Sequence, residues 1–473
     1  MSTSLSIVIP CFNERATLRT LVKRVLAAPP EDLPKKIVIV DDGSTDGSGE
    51  VADDIADGNP EVKVIHHNRN LGKGAAIRSG QKSAAGDIVI IQDADLEYDP
   101  RCYPQLIAPI LEGRADVVYG SRFLGGGARR ALYFRHAIGN RLLTTLSNLA
   151  TDLYLTDMET GYKVFRGDYF RMIPIQSNRF GFEPEITAKA ARLGLRVYEV
   201  PIEYHGRAYH AGKKIRWLDG ISAFYAIVKY WLSDGLSGMG EGLSALVSMR
   251  GAGRYNDWVF SKIAPYIGNR ILEAGSGIGN VTQHIQQREL VVATDINERY
   301  LDVLSNVFRD CPNVMVEKFD LTNIAAYEKF VPDKLDTVLC INVLEHIERD
   351  EEVLQEFYQI LTPGGRAVVL VPQGKWLYGS MDEGVGYKRR YSRSELTAKM
   401  EKAGFKVEKL IGINRASTLP WFINGRILRR KTVPGLQVKM FDSVITFVRI
   451  LDHILPIPAM SLIAVGRKEN TGG

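Results

Sequence analysis

The first half of the chain alternates short apolar runs with amphipathic stretches. SLSIVIP, KKIVIV, VKVIHH, the run from Ile88 to Ile91 and ADVVYG read as buried strands. Helical patterns lie between them, from about Glu14 to Leu26, after Asp46, and from Lys73 to Ala84. This alternation predicts right-handed βαβ units and a parallel sheet with helices on both faces. A second alternation begins at NRILEAGSGIGN and runs through LVVATD, KFDLTN, LDTVLCINVLEHIE, LTPGGRAVVLVP and KMEKAGFKVEKLIG to SLIAVGRK. Between the two lies SDGLSGMGEGLSALVSMRGAG, residues 233–253, whose glycines and serines read as a linker. The expected organisation is a domain over 1–232, the linker, and a second α/β domain over 254–473. Inside the second domain, residues 413–459 form a long insertion, expected to be a lid over that domain's site that also touches membrane.

Composition sharpens this picture in a few places. At 473 residues the chain is too long for one ordinary domain, and with 45% hydrophobic residues it has material for full cores. A net charge of +5 from 60 Lys+Arg and 55 Asp+Glu argues against nucleic acid as a partner. Cys11, Cys102, Cys311 and Cys340 lack metal-type spacing and read as free thiols of a reducing compartment. MSTSLSIVIPCF has no basic leader, and ISAFYAIVKYWL is too short to span a bilayer. The expected location is cytoplasmic, at the inner face of a membrane. The segments Tyr133–Leu155 and Ile215–Leu232 mix Leu, aromatics and Arg/Lys, a composition equally suited to a membrane interface and to a packed helix.

The chemistry collects where the strands end. Pro10-Cys11-Phe12-Asn13-Glu14 follows the first strand, Asp41-Asp42-Gly43-Ser44-Thr45-Asp46-Gly47-Ser48 the second, and Asn70-Leu71-Gly72-Lys73-Gly74 the third. Asp93, Asp95 and Glu97 follow Ile88–Ile91, and Ser121-Arg122 follows ADVVYG. Open α/β sheets bind ligands at this edge. Taken alone, Asp93 and Asp95 have two readings: caps for the helix after Pro100, or hard oxygen ligands for Mg²⁺ or Mn²⁺ that would hold a diphosphate. Acidic loops, a divalent cation and the bases Lys73 and Arg122 on one edge suit a charged, phosphorylated ligand.

SIVIPCFNE, VDDGSTDGS, NLGKGAAI, DADLEYDP and GSRF, in this order from about residue 4 to 230, resemble the family 2 inverting glycosyltransferases of GT-A fold. TDMETGYKVFRGDYF, RFGFEPEITAKA and EVPIEYHGRAYHAGKKIRWLDG resemble the branch that serves dolichol and other polyprenyl phosphates. The resemblance implies a nucleotide sugar of the GDP-mannose or UDP-glucose type as donor and a lipid phosphate as acceptor. It implies nucleotide-sugar contacts by Pro10, Phe12, Glu14, Asp41, Asp42, Lys73 and Asp93. The metal would be held by Asp93 and Asp95, with Glu97 standing where the family often has Gln.

A phosphate monoester has a second pKa of about 6, so it is already anionic and needs no general base. Catalysis then rests on stabilising the leaving diphosphate through the metal at Asp95 and on collecting the acceptor with Arg122, Arg135, Arg207, Lys213 and Lys214. For a hydroxyl acceptor, Glu183 or Glu185 is the candidate base, with an ion pair as the structural alternative for Glu185.

In the second half, Glu273, Gly275, Gly277 and Gly279 form a glycine-rich turn after a strand, and Asp295 stands 20 positions beyond Gly275. That spacing suits an adenosine ribose, in a dinucleotide or in S-adenosylmethionine. The pattern and the segments that follow resemble class I S-adenosylmethionine-dependent methyltransferases over residues 255–468. The resemblance implies that the turn holds the methionine portion, Asp295 the ribose and Asp320 the adenine, with Asn342 near the amino acid end. His346 and the loop YKRRYS at 387–392 fall on the acceptor side, where a packed histidine is the plainer reading. The expected protein is a bifunctional enzyme of one glycan or glycolipid pathway. Two alternatives stand beside it: a transferase that extends a surface polysaccharide at a sugar hydroxyl, and a chain in which one domain only binds substrate.

Overall fold

The computed structural model describes residues 3–125, 134–206, 217–232, 241–250, 252–430 and 440–469. They form two compact units, Met1–Met239 and Gly240–Gly473. Each unit contains one seven-stranded sheet.

In the first unit β1 (Leu5–Cys11) pairs in parallel with β2 (Lys35–Asp41) on one side and β4 (Ile88–Ile91) on the other, and β3 (Val62–His66) lies outside β2. Helix α1 (Arg15–Leu26) buries Leu18, Leu21, Val22 and Val25, the i, i+3, i+4, i+7 stripe that a single-faced helix requires. That stripe packs in one core with Ile7, Ile9, Ile37, Ile39 and Ile90. α2 (Ser48–Asp57) crosses between β2 and β3. α3 (Lys73–Gln81) covers the other face, where Ala76 meets Val38 and Val40. Each buried aliphatic side chain stabilises the fold by about 1.5–3 kcal/mol.

The expectation of an all-parallel sheet holds for β1 to β4 and needs correction beyond. The order is β3-β2-β1-β4-β6-β5-β7, and β6 (Lys163–Arg166) runs antiparallel to both β4 and β5 (Val117–Ser121), with β7 (Val197–Pro201) parallel to β5 at the edge. α4 (Tyr103–Leu111) connects β4 to β5, and α5 (Phe134–Thr151) lies between β5 and β6. The chain therefore re-enters the sheet from its carboxyl edge: Lys163 stands opposite Ile91, and Arg166 opposite Ile88. α6 (Gly167–Met172), α7 (Phe182–Arg192) and α8 (Trp217–Leu232) complete the unit.

The second unit opens with a departure from the expected linker. Residues 241–250 form helix α9 (Glu241–Arg250), with Leu243 and Val247 buried. Glycine and serine content suggested an unstructured joint, but Leu243, Leu246 and Val247 at i, i+3, i+4 supply an apolar stripe, and burial of that stripe decides the conformation. α10 (Gly253–Ile263) leads to β8 (Arg270–Ala274), followed by the short α11 (Thr282–Ile285). Then come β9 (Leu290–Asp295), α12 (Glu298–Val307), β10 (Val314–Lys318), β11 (Leu335–Ile341), α13 (Asp350–Ile360), β12 (Leu361–Pro372), α14 (Ser380–Val385), α15 (Arg393–Lys402) and β13 (Lys406–Ile413). The insertion carries α16 (Thr418–Phe422), a π turn at Ile423–Ile427 and α17 (Ile445–Ile454) before β14 (Ser461–Arg467). The order is β10-β9-β8-β11-β12-β14-β13, with β14 antiparallel to both neighbours. No helix among the described residues is long and apolar enough to cross a membrane.

One fully buried ion pair ties this unit's segments together. Arg390 Nε donates to Asp382 Oδ1 at 2.7 Å and Arg390 Nη1 to the Gln373 carbonyl at 3.0 Å. Asp382 Oδ2 accepts from Gly379 N at 2.9 Å and from Trp421 Nε1 at 3.3 Å. The end of β12, α14, the YKRRYS loop and the insertion thus share one charge pair. Removing one partner of such a pair strands the other in the interior. Arg390→Met is expected to destabilise this unit by about 3–5 kcal/mol, read in urea denaturation followed by tryptophan fluorescence; a loss well under 1 kcal/mol would contradict it.

Candidate active sites

At the carboxyl edge of the first sheet, the loops after β1 and β2 are laced together. Asn13, with a positive φ of 52°, donates its backbone N–H to Ser44 Oγ at 3.0 Å and accepts from Thr45 N at its Oδ1 at 2.8 Å. Glu14 N donates to Ser48 Oγ at 2.8 Å, and Arg15 N to Asp46 Oδ2 at 3.1 Å. Pro10, Phe12 and Glu14 sit half-buried on this edge. Asp42, by contrast, is buried and accepts four hydrogen bonds: from His67 Nδ1 (2.7 Å), Asn70 Nδ2 (3.0 Å), Leu71 N (2.9 Å) and Gly72 N (2.7 Å). Its carboxylate fixes the loop that delivers Lys73. Asp41, also buried, accepts from Ser44 N and faces His66.

Lys73, at the start of α3, reaches across the edge and places Nζ 2.8 Å from Asp93 Oδ1 and 3.1 Å from Glu183 Oε1. Burial works against its charge, but the carboxylates of Asp93 and Glu183 outweigh it and hold the ammonium protonated. The capping reading of Asp93 and Asp95 finds no support here, because Asp99 caps the turn after Pro100, accepting from Arg101 N at 2.9 Å. Asp95 Oδ1 accepts from Glu97 N at 3.1 Å, and Glu97 Oε2 accepts from the Tyr204 hydroxyl at 2.5 Å. Among the described residues no three His, Cys, Asp or Glu side chains gather as a ready metal cage, so Glu97 is not brought into one with Asp93 and Asp95. Asp93 and Asp95 offer hard carboxylate oxygens, and Gly161 packs directly against Asp93. A Cβ added there would stand 2.2 Å from Asp93 Oδ2 and 2.9 Å from the Tyr98 ring.

Arg122 at the end of β5 is held bidentate by buried Asp157, Nε to Oδ2 and Nη2 to Oδ1 both at 2.7 Å, and lies 5.3 Å from the Tyr204 ring centroid. Glu199 in turn accepts from Thr156 N (2.8 Å) and Asp157 N (3.0 Å). Sequence reasoning passed over Asp157, Glu159 and Lys163, although all three lie in TDMETGYK. That stretch ends at the head of the antiparallel strand β6. Lys163 Nζ donates to the Met158 (2.9 Å) and Thr160 (2.6 Å) carbonyls and lies 4.4 Å from the Tyr119 ring centroid. Burial and the charge of Glu183 push the Glu159 carboxyl up, and burial pushes the Lys163 ammonium down.

Glu185 is fully buried, accepting from Gln176 N at 2.7 Å and Ser177 N at 2.6 Å and pairing with Lys189. The structure thus places it as the anchor of the 176–177 loop, away from the role of a base. Arg135 belongs to α5, its side chain outside the described residues, and Arg207, Lys213 and Lys214 also lie outside them.

In the second unit the glycine-rich turn folds against β9. Gly275 N and Ser276 N both donate to the Thr294 carbonyl, at 2.9 and 2.8 Å, and Gly277 N donates to Asp295 Oδ2 at 2.9 Å. Gly275 has φ 78°, and an added Cβ would stand 2.4 Å from Val343 Cγ2, so no larger residue fits. Gly279 also has positive φ and follows Gly277 into α11. Asp295 Oδ1 accepts from Asn297 N at 2.9 Å, and burial raises its carboxyl pKa. Glu273 is buried beneath the turn, accepts from Thr282 Oγ1 at 2.6 Å, and is pushed up to about 7 by burial. Asp320, past β10, accepts from Thr322 N at 2.9 Å and stands exposed. Asn342, with φ 55°, follows β11 and is exposed. These residues stand at or just past the ends of the parallel strands β8, β9, β10 and β11. His346 Nδ1 is 2.9 Å from the Gly386 carbonyl, and its ring meets Tyr387 edge-on, a packed arrangement.

Comparison with known proteins gives each unit relatives. Residues 6–173 match Glycosyl transferase family 2, and residues 272–367 match a methyltransferase domain. An undecaprenyl-phosphate mannosyltransferase of Micrococcus luteus is 31% identical over 255 residues, covering 51% of this chain and 98% of the relative. A polyprenol monophosphomannose synthase of Mycolicibacterium smegmatis is 31% identical over 214 residues, covering 44% of this chain and 79% of the relative. Glucosyl-3-phosphoglycerate synthase of Mycobacterium tuberculosis, solved with uridine-diphosphate, aligns with a TM-score of 0.39 at 21% identity over 48% of this chain and 80% of that one.

Beside the second site, Glu345 is fully buried, and among the described residues neither of its carboxyl oxygens has a hydrogen-bond partner. Burial pushes the carboxyl from 4.5 up to about 8. The folded chain therefore keeps a proton that the unfolded chain releases, and the stability of this unit falls as pH rises between those values. Glu345→Gln is expected to flatten that decline in urea titrations across the same window; an unchanged slope would contradict the assignment.

Proposed function

Because the chain belongs to glycosyl transferase family 2 and carries a methyltransferase domain behind it, we propose a bifunctional enzyme with two sites. The first, within residues 1–232, transfers a hexosyl group from a nucleotide sugar to a polyprenyl phosphate with inversion. The second, within 254–473, transfers a methyl group from S-adenosylmethionine to an acceptor of the same glycan or glycolipid pathway. The observation that best supports the first reading is the edge on which Asp93 and Asp95 stand beside Lys73, with loops from four strands around them.

Pro10, Phe12 and Glu14 line the nucleotide side, and Asp41 and Asp42 keep that side rigid from beneath. Asp93 and Asp95 would hold a Mg²⁺ or Mn²⁺ ion, which would stabilise the charge that grows on the departing diphosphate. Lys73 adds a fixed positive charge next to Asp93, and Arg122, clamped by Asp157, presents a preset guanidinium toward a phosphate acceptor. No base is required, since the acceptor is already an anion. The two acids open to that role are otherwise engaged, Glu183 with Lys73 and Glu185 with Lys189 and two backbone amides. This weighs against a hydroxyl acceptor. A lipid-borne phosphate also suits the apolar residues left exposed on α5 (Ile138, Leu142, Leu149) and α8 (Ile221, Phe224, Tyr225). The relatives named for undecaprenyl and polyprenol phosphates point the same way and suggest mannose as the sugar.

In the second site the turn from Gly275 to Gly279 leaves room for close approach of the methionine portion, Asp295 stands for the ribose and Asp320 for the adenine. S-adenosylmethionine would supply an electrophilic methyl group there, and the protein's share is to align the acceptor with it.

A screen of nucleotide sugars with Mg²⁺ or Mn²⁺, with and without polyprenyl phosphate, should find transfer that needs both metal and lipid phosphate. Asp95→Ala and Gly161→Ala should each lower it roughly a hundredfold or more. If neither changes turnover or nucleotide affinity, the metal site is wrong. Calorimetry with S-adenosylmethionine should show binding that Asp295→Ala weakens about tenfold or more; absence of binding to the unaltered chain would overturn the second assignment.

A further inference from the structure

The chain's net charge is concentrated in one place. Residues 413–459 contain seven cations (Arg415, Arg426, Arg429, Arg430, Lys431, Lys439 and Arg449) against two acids, Asp442 and Asp452. The difference, +5, equals the net charge of the whole chain, so the rest sums to zero. Both acids are engaged: Asp452 accepts from Arg415 N and lies 3.4 Å from its guanidinium, and Asp442 accepts from Tyr255 N at 2.8 Å. The insertion's outward charge is therefore positive, and Arg426, Arg429 and Arg430 are all exposed.

The same segment leaves apolar side chains in water. Helix α17 buries Ile445 and Val448 in the core with Trp258, while its other face presents Phe447 at 63%, Ile450 at 57% and Ile454 at 70% exposure. These are i, i+3 and i+7, a complete helical stripe, preceded by exposed Val444. A helix apolar on both faces is out of place on a water-facing surface. Leu419, Ile423 and Ile427, at i, i+4 and i+8 along α16 and the π turn, form a second exposed stripe, with Leu428 beside it and the three arginines adjoining. Aliphatic and aromatic stripes edged by arginine match a surface that is oily below and anionic above. A second copy of this chain is a poor occupant, because two such faces carry charge of the same sign.

We propose that the insertion docks the methyltransferase unit onto an anionic lipid bilayer, with Phe447, Ile450, Ile454, Ile423 and Ile427 entering the interface and Arg426, Arg429 and Arg430 meeting the headgroups. The inference does not depend on which sugar or which methyl acceptor the two sites use. It assigns the insertion the task of holding the second site where lipid-borne acceptors are found.

The test is sedimentation of the full chain with vesicles of phosphatidylcholine alone or mixed with phosphatidylglycerol. Binding should be at least about tenfold tighter to the anionic vesicles and weaken steeply with added salt. Phe447→Asp with Ile450→Asp, and separately Arg426→Glu with Arg429→Glu, should each weaken it about tenfold or more. All four residues are exposed or at the rim, so folding should survive, and a thermal melt checks that it does. Four outcomes overturn the proposal: no vesicle binding; equal binding to neutral and anionic vesicles; binding untouched by both pairs of substitutions, which would place lipid contact elsewhere on the chain; or, in sedimentation velocity without lipid, a dimer abolished by Phe447→Asp. None of these bears on hexosyl transfer to a water-soluble short-chain polyprenyl phosphate, so failure here is separable from failure of the proposed activity.

Discussion

The first site depends on one ammonium group. Lys73 sits between Asp93 and Glu183, and each of the three comes from a different element: the start of α3, the loop after β4 and the start of α7. Two carboxylates facing one another in a low-dielectric edge repel strongly, and the ammonium between them turns that repulsion into a bond across the site. Asp42 sets the lysine's approach by gripping Asn70, Leu71 and Gly72, and Glu185 sets the opposing loop by gripping Gln176 and Ser177. The buried acids of the edge thus divide between those that support and those that are supported. Their interchange would not be conservative even where the residue type is kept.

Much of this was legible in the sequence, for a physical reason. Strand and helix periodicity marks β1 to β4 and α1 to α3, because each has one buried face and one repeat. The loops that follow parallel strands all fall on one edge, so placing Glu14, Asp42, Lys73, Asp93 and Arg122 together needed only chain order. What stayed hidden depends on contacts between segments far apart in sequence. Nothing local in TDMETGYK says that Asp157 clamps Arg122 or that Lys163 heads a strand running backward between β4 and β5. Similarly, a short βα alternation cannot tell whether a carboxylate points at a ligand or at a backbone amide, which is why Asp42 reads as a nucleotide contact and stands as a brace, and why Glu185 keeps two readings, base or ion pair, until Lys189 and two backbone amides are seen around it.

The second unit repeats the lesson with a different failure. The glycine turn and Asp295 were legible because their spacing follows from the length of one βαβ unit. The helix at 241–250 was not, since three apolar residues among glycines and serines look like a linker until a partner surface buries them. Leu246 in that helix lies against the turn, near 3.1 Å from where a Gly277 Cβ would stand, and Asn280 Nδ2 donates to its carbonyl at 2.9 Å. A segment that composition marks as a connector is in fact packed on the glycine turn.

The reversed strand β6 also bears on how the first unit comes to be made. When residues up to Ser121 have left the ribosome, β4 has β1 on one side and an unfilled edge on the other, because its second neighbour lies more than forty residues downstream at Lys163–Arg166. During that interval the nascent chain carries an open apolar strand, Ile88 to Ile91, of the kind that recruits wrong partners. Asp157, Glu159 and Lys163 arrive together with the strand that closes it. Closure of the open edge of β4 and arrival of these three charges are therefore a single event in biogenesis, with Glu183 and the edge strand β7 still to come.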